Sequence, residues 1–365
     1  MENSGERIAE KVQALSDIEL AVLLCLVADQ HCIIETEGQL LDNLQHELEI
    51  VATSVFGLTC SVLECSQQTT LDDFGSGILV TGDDDDYFGH SNEATRSDTT
   101  KHSDRRKSRS SQPFSPLDSK RIANVVIAKN LNDASSEVQV QALELIRGKR
   151  NFTRTAVHAA PRPFLFIALN VSGTARLTTH LNDQIFISHK HQPEDGFANL
   201  EDLQGKEPII DDDDASTASV VRSSSYKWED RKGPQIMFSQ DEINQLTKLT
   251  SEVRISSDVR AYLHNIVVFM RLHRAVGGGI SAMATRHFDA LSHALAPLHG
   301  LTYISPSLVA LAARKIYPHR IVITVPERER SMQWGSSLEA VKAVLEGVTV
   351  EDVIEEVLQS VEVPL

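Results

Sequence analysis

Apolar and polar positions alternate along the chain in two ways, and each predicts a different kind of element. Ile18, Ala21, Val22, Leu24 and Cys25 recur at helical spacing, inside an apolar run from 20 to 28 that reads as a buried helix. A short strand is predicted at 32–34. Leu40, Leu41, Leu44, Leu48 and Val51 then predict a long helix over 39–55, with Gly57 as its stop and a second strand at 60–63. Continuous apolar runs at 122–127 and 164–169 suit strands buried on both faces. An amphipathic helix is predicted at 138–147 between them, and a further short strand at 181–188. Strand–helix alternation of this kind implies a parallel sheet with helices on its faces. From 236 onward the period is helical throughout. Val259, Tyr262, Leu263, Ile266 and Met270 form one stripe, a second helix covers 281–295, and Ser305-Pro306 opens a third as N-cap and first-turn proline. Val350, Val353, Ile354, Val357 and Leu358 mark a helix in the tail.

Two polar stretches interrupt this pattern. Residues 82–120 are rich in Ser, Asp and Arg, with almost no aliphatic side chains, and 189–235 carry the acidic run 211–214 followed by Ser-rich sequence. Neither offers enough apolar surface to offset ordering entropy, so both are expected to be disordered insertions. The expected organisation is an α/β core at 8–188 interrupted by 82–120, a disordered linker at 189–235, a helical unit at 236–330 and an acidic helical tail at 331–365. The chain has 365 residues, of which 41% are hydrophobic, enough for a sizeable core. Its 51 acidic and 35 basic side chains give a formal charge of −16. That balance argues against nucleic acid or an anionic membrane as partner, since phosphate binding needs clustered Lys and Arg. Four cysteines do not make a disulfide scaffold, and the polar start shows no secretory leader. A cytoplasmic or nuclear protein is expected.

Several local clusters have plain readings. Gly277-Gly278-Gly279 lacks a preceding strand and a Lys, so it is expected to be a flexible helix connection rather than a phosphate cradle. Cys60 and Cys65 have no second pair to close a zinc site. His189-Lys190-His191 is read as a polar linker edge, so no metal ligand is expected. The acidic runs 83–86 and 211–214 lack the alternation and glycine of a calcium loop. Ser108, after Arg105-Arg106-Lys107, and Ser115, before Pro116, resemble kinase acceptor sites; phosphate there would add about −1.5 to −2 charges per site.

The order of these elements resembles the AAA+ ATPases of the MoxR and magnesium-chelatase ATPase-subunit group, nearest to magnesium-chelatase-like eukaryotic proteins. The likeness is carried by Cys32-Ile33-Ile34-Glu35 through Gly57-Leu58, by Val126-Ile127-Ala128-Lys129-Asn130, and by Pro163-Phe164-Leu165-Phe166-Ile167-Ala168. Val259-Arg260-Ala261-Tyr262, Gly279-Ile280-Ser281 and Gly300-Leu301-Thr302-Tyr303-Ile304-Ser305-Pro306 extend it into the helical lid. The resemblance implies an AAA+-like parallel sheet, a lid, and a nucleotide site built from a phosphate loop, an acidic strand end, a sensor residue and two arginines.

Most of that chemistry is missing at the matching positions. The loop reads Glu35-Thr36-Glu37-Gly38-Gln39-Leu40-Leu41-Asp42, with one glycine and no Lys. Each carboxylate facing a phosphate at ~4 Å would cost roughly 4 kcal/mol at an effective dielectric near 20, before screening. Lys129 and Asn130 replace the acidic pair that holds Mg²⁺ and orients water. Met283 falls where the lid arginine is expected, and Gln184, at the end of Leu181-Asn182-Asp183-Gln184, where the trans-acting arginine finger is expected. Asn170, or Val171 one place on, matches the sensor. Gly38 and Asn170 are thus remnants, and no catalytic residue or cofactor is expected. The expected function is a catalytically degenerate, pseudo-ATPase interaction or assembly subunit. Its partners would be proteins, either other AAA+ subunits or metal-dependent adhesion-like domains. Two alternatives stay open: an ATP- and Mg²⁺-dependent subunit of magnesium-chelatase type, and an unrelated helical regulatory protein.

Overall fold

The structure is a computed structural model, and it describes residues 8, 10–81, 120–153, 156–204 and 236–364. Ser108, Ser115, both acidic runs and most of the two expected insertions lie outside these residues.

Five parallel strands form the central sheet: β1 (Cys32–Thr36), β2 (Cys60–Glu64), β3 (Val125–Lys129), β4 (Leu165–Val171) and β5 (Ile187–Lys190), in the order β2-β3-β4-β1-β5. β3 is buried at every position and β4 at all but the last. The cause is coverage on both faces. Ile127, Ile167 and Ile34 belong to one apolar cluster, while Val126, Phe166 and Ile33 belong to another on the opposite face. Because the strands are parallel, their C-terminal ends line one edge: Thr36, Glu64, Lys129, Val171 and Lys190. Ligands of open α/β sheets bind outside this edge.

Helix α1 (Asp17–Ala28) is opened by a Ser16–Glu19 capping box and ends at Asp29 in the left-handed region. Its apolar residues run all round the helix, and Ala21 to Val27 are all buried. The reason lies in its neighbours: it is packed between the sheet and the helical unit. α2 (Leu41–Ile50) begins after a single 3₁₀ turn at Gly38–Leu40 and runs into a π-helical turn at Val51–Val55, so the predicted long helix is three pieces. Then come α3 (Leu71–Gly77), α4 (Ser136–Gly148), α5 (Thr179–Gln184) and α6 (Ala198–Gln204). The helical unit consists of α7 (Gln240–Glu252), α8 (Ser257–Leu272), α9 (Ala282–Leu298) and α10 (Pro306–Ile316), followed in the tail by α11 (Leu338–Leu345) and α12 (Val350–Ser360). Ser305 caps α10 through the Leu308 N–H, as predicted. The buried faces of α7 to α10 and α12 join the same apolar cluster as α1 and one face of the sheet.

Four expectations are corrected. Residues 181–188 are not one strand: α5 precedes β5, because Leu181 and Ile185 are buried beside α4. The run 122–127 is split. Ile122 ends a strand, Lys120–Ile122, that pairs with Leu79–Thr81, and β3 starts at Val125. The linker boundary at 189 falls inside β5, and residues 189–204 are folded onto the core through Phe197, Asn199 and Leu200. The glycine run is not a free connection. Val276–Gly278 pairs antiparallel with Val322–Ile323, and Gly279, at φ 100°, lies so close to the Arg320 carbonyl that any Cβ would overlap it. Among the described residues no helix is long and apolar enough to cross a membrane.

Candidate functional site

The strand-end edge between α2, β3 and β4 is where the sequence placed its remnants of a nucleotide site. Gly38 is exposed and sits in the 3₁₀ turn before α2. Its φ is not left-handed, and a Cβ there would make an ordinary 3.8 Å contact with Val171 Cγ1. Nothing in the backbone requires glycine at this position, unlike a loop that wraps phosphates closely. The N-terminus of α2 has no side-chain cap, but its first turn carries Asp42, whose negative charge already complements the positive helix end.

Lys129 ends β3 and is followed by Asn130 in the left-handed region. Its Nζ lies 2.5 Å from Asp42 Oδ1 and 3.8 Å from Glu64 Oε1. The Lys129 side chain is 11% exposed, whereas that of Asp42 is 76% exposed. The ammonium therefore sits in the crevice with a carboxylate over it from the α2 side. Its hydrogen bond and charge hold the Asp42 carboxyl below the usual range. Glu35, on β1, is half-buried, and burial pushes its carboxyl up despite Lys190 and Arg176 nearby.

Asn170 lies beside Glu35 in the β1–β4 register and is buried. Its Oδ1, the Thr36 hydroxyl and the Ser172 hydroxyl have no hydrogen-bond partner among the described residues. Buried polar atoms are normally paired, so these three oxygens can hold water or a polar ligand group. A triphosphate with Mg²⁺ would meet few complementary charges from this loop and strand end. The loop itself brings Glu35 and Glu37 and no cation, with Lys190 and Arg176 on neighbouring segments near Glu35, and the strand end is a lysine already bound to a carboxylate. The metal would meet an ammonium and the phosphates would meet carboxylates.

The lid side departs from the resemblance in a second way. Met283 is half-buried in the first turn of α9, and Gln184 is half-buried at the end of α5; neither carries charge. The residues that act here are Asp183 and Arg320, which sequence reasoning did not single out. Arg320 is buried at 3% exposure. Its Nη1 donates to Asp183 Oδ1 at 2.7 Å and to the Asp183 carbonyl at 3.1 Å. Its Nη2 donates to the Ile185 carbonyl and to His287 Nδ1, the latter at 2.6 Å. Asp183 also accepts from Ser281 Oγ at 2.6 Å, and Asn182 Nδ2 donates to the His319 carbonyl at 2.7 Å. Burial, with the Arg320 charge, lowers His287 to about 3, so its neutral ring is free to accept. The stretch expected to supply an arginine finger instead fastens the lid to the core. Asp183 and Arg320 are 137 positions apart, so no local pattern pairs them.

No family model matches the chain. A curated relative, "Maintenance of telomere capping protein 2" of Lachancea thermotolerans, is 30% identical over 104 residues, which are 27% of this chain and 36% of that protein. The match thus spans about a third of the relative's length. Among solved structures, a candidate ATPase from Cytophaga hutchinsonii is similar over 100% of this chain and 96% of its own, at 14% identity and a TM-score of 0.63. A full-length MCM homolog from Methanopyrus kandleri covers 84% of this chain and 56% of its own length, at 10% identity and a TM-score of 0.43, too low to add to the argument. The five-stranded parallel sheet and the end-to-end likeness show that the chain shares the α/β fold of the Cytophaga structure.

Proposed function

We propose that the protein is a catalytically degenerate AAA+-like subunit that works through protein contacts and does not turn over nucleotide. The observation that carries this reading is the Lys129–Asp42 pair. In a working site of this fold a loop lysine meets phosphate and an acidic strand end meets Mg²⁺. Here the signs are exchanged: the cation comes from the strand end and the carboxylate from the loop helix, and they neutralise each other at 2.5 Å. The Arg320–Asp183 clasp supports the same reading, because it ties the lid to the core through the protein's own groups. The partners fitting this role are other AAA+ subunits or metal-dependent adhesion-like domains. The relative's name, telomere capping, favours the nucleus over the cytoplasm.

The test is calorimetric titration of the full chain with ATP and Mg²⁺, beside a sensitive phosphate-release assay. The reading expects neither saturable heat nor turnover; micromolar binding with steady release would overturn it. A second reading, an ATP-hydrolysing subunit of magnesium-chelatase type, rests on the unpartnered oxygens of Thr36, Asn170 and Ser172, which leave polar binding capacity at the edge. The same titration separates the two.

A further inference from the structure

The other end of the sheet edge holds a cluster that the sequence reading dismissed. β5 ends at Lys190, and its backbone pairing continues one step further, where the His191 N–H donates to the Glu35 carbonyl at 2.8 Å. His189 and His191 are two apart on this extended chain, so their side chains fall on the same face. Both are buried, at 6% and 2% exposure. A single 3₁₀ turn at Pro193–Asp195 then folds the chain back and brings the Asp195 carboxylate to the two rings. One ligand atom from each of His189, His191 and Asp195 lies within 4.8 Å of the others.

The hydrogen-bond inventory is what makes this more than a packed histidine pair. His189 Nε2 and both ring nitrogens of His191 are buried without a hydrogen-bond partner among the described residues, and His191 Nδ1 lies 3.7 Å from Asp195 Oδ2. Buried ring nitrogens are normally paired, and here one nitrogen from each ring lies close to the other, with a carboxylate oxygen beside them. Asp195 is not loose either. Its Oδ2 accepts from the Gln192 N–H at 2.8 Å, which aims the carboxylate, and Phe197 packs on the His191 ring at 5.0 Å between centroids. Asp17, Asp195 and Glu47 contribute negative charge around the rings, opposed by Lys315 on the His189 side. Burial lowers both imidazoles below their ordinary value.

We propose that His189, His191 and Asp195 bind one divalent transition-metal ion of the zinc class, fastening the 191–204 segment to the sheet. Two imidazole nitrogens and one carboxylate oxygen match the donors such ions take, with bonds of about 2.0–2.2 Å. Three protein ligands leave a fourth position for water or an exogenous donor. The ion closes the distances between ligand atoms to those of a tetrahedral site. The inference is independent of the nucleotide crevice, since none of its ligands belongs to that site.

The test uses the untagged full chain, stripped with a chelator and titrated with Zn²⁺ by calorimetry at pH 7.5, then with Co²⁺ by visible absorption. The expected result is one equivalent bound, a rise in thermal midpoint on Zn²⁺, and the absorption bands of tetrahedral Co²⁺. Asp195→Asn, at an exposed position that keeps an acceptor for Gln192, should weaken binding by roughly tenfold or more. The His189→Gln, His191→Gln double variant should lose that equivalent. The proposal is overturned if the folded wild-type chain binds no stoichiometric ion, or if Asp195→Asn binds with unchanged stoichiometry and affinity. Should the double variant fail to fold, Asp195→Asn alone decides.

Discussion

Lys129–Asp42, at the end of β3, and Arg320–Asp183, just before β5 begins, are both ion pairs that bridge distant parts of the chain, yet their surroundings differ. Asp42 is largely in water, with a side chain 76% exposed, while the Arg320 side chain is 1% exposed and makes four hydrogen bonds. A pair with one partner in water adds little to stability, because water solvates the carboxylate equally well when it is alone. A buried cation stripped of its carboxylate has no such refuge. The first pair therefore sets the electrostatics of the crevice, and the second holds the architecture around it.

Substitutions separate the two roles. Asp183→Ala leaves Arg320 buried without its counter-charge and should lower unfolding stability by about 3–5 kcal/mol, read from the denaturant midpoint. A loss under 1 kcal/mol would mean that the carbonyls of Asp183 and Ile185 suffice. Gly279→Ala attacks the same region through the backbone. It places a Cβ in the left-handed region against the Arg320 carbonyl, and about 1–3 kcal/mol should be lost. Wild-type stability would show that the Val276–Gly278 ribbon yields easily.

The clasp also predicts a pH dependence. His287 beside Arg320, and His31 under β4, are both lowered to about 3, chiefly by burial. Above pH 6.5 folded and unfolded chains both hold neutral rings, and these groups bring no penalty. Below it the unfolded chain takes up protons that the folded chain refuses. Stability should then fall by about 1.4 kcal/mol per pH unit for each histidine, down to pH about 3. His287→Gln should remove one histidine's share of that slope; an unchanged slope would show that His287 titrates normally. The smallest effect belongs to the crevice. Asp42→Asn leaves Lys129 with Glu64 at 3.8 Å as its remaining carboxylate and should lower the denaturant midpoint less than Asp183→Ala does; an equal drop would erase the contrast between the two pairs.

What the sequence disclosed follows the range of the interaction. The buried run of β4, the capping serine of α10 and the stripe of α8 are local patterns, and they were legible. The pairing of Lys120–Ile122 with Leu79–Thr81 was hidden, because one apolar run served two sheets. The glycine run read as a loose connection because its partner, Val322–Ile323, lies more than 40 residues away. The wrong signs in the crevice were readable residue by residue. That Lys129 and Asp42 cancel each other was not, since 87 positions separate them. His189 and His191 looked like a polar edge because nothing near them in sequence announces the 3₁₀ turn that returns Asp195.

We propose that this crevice rejects a metal–triphosphate. Crystals of the full chain soaked with Mg²⁺ and a nonhydrolysable ATP analogue test it most directly. The account predicts Lys129 still bound to Asp42, with no phosphate density at the start of α2. Density for three phosphates beside Gly38, with a metal near Lys129, would contradict it.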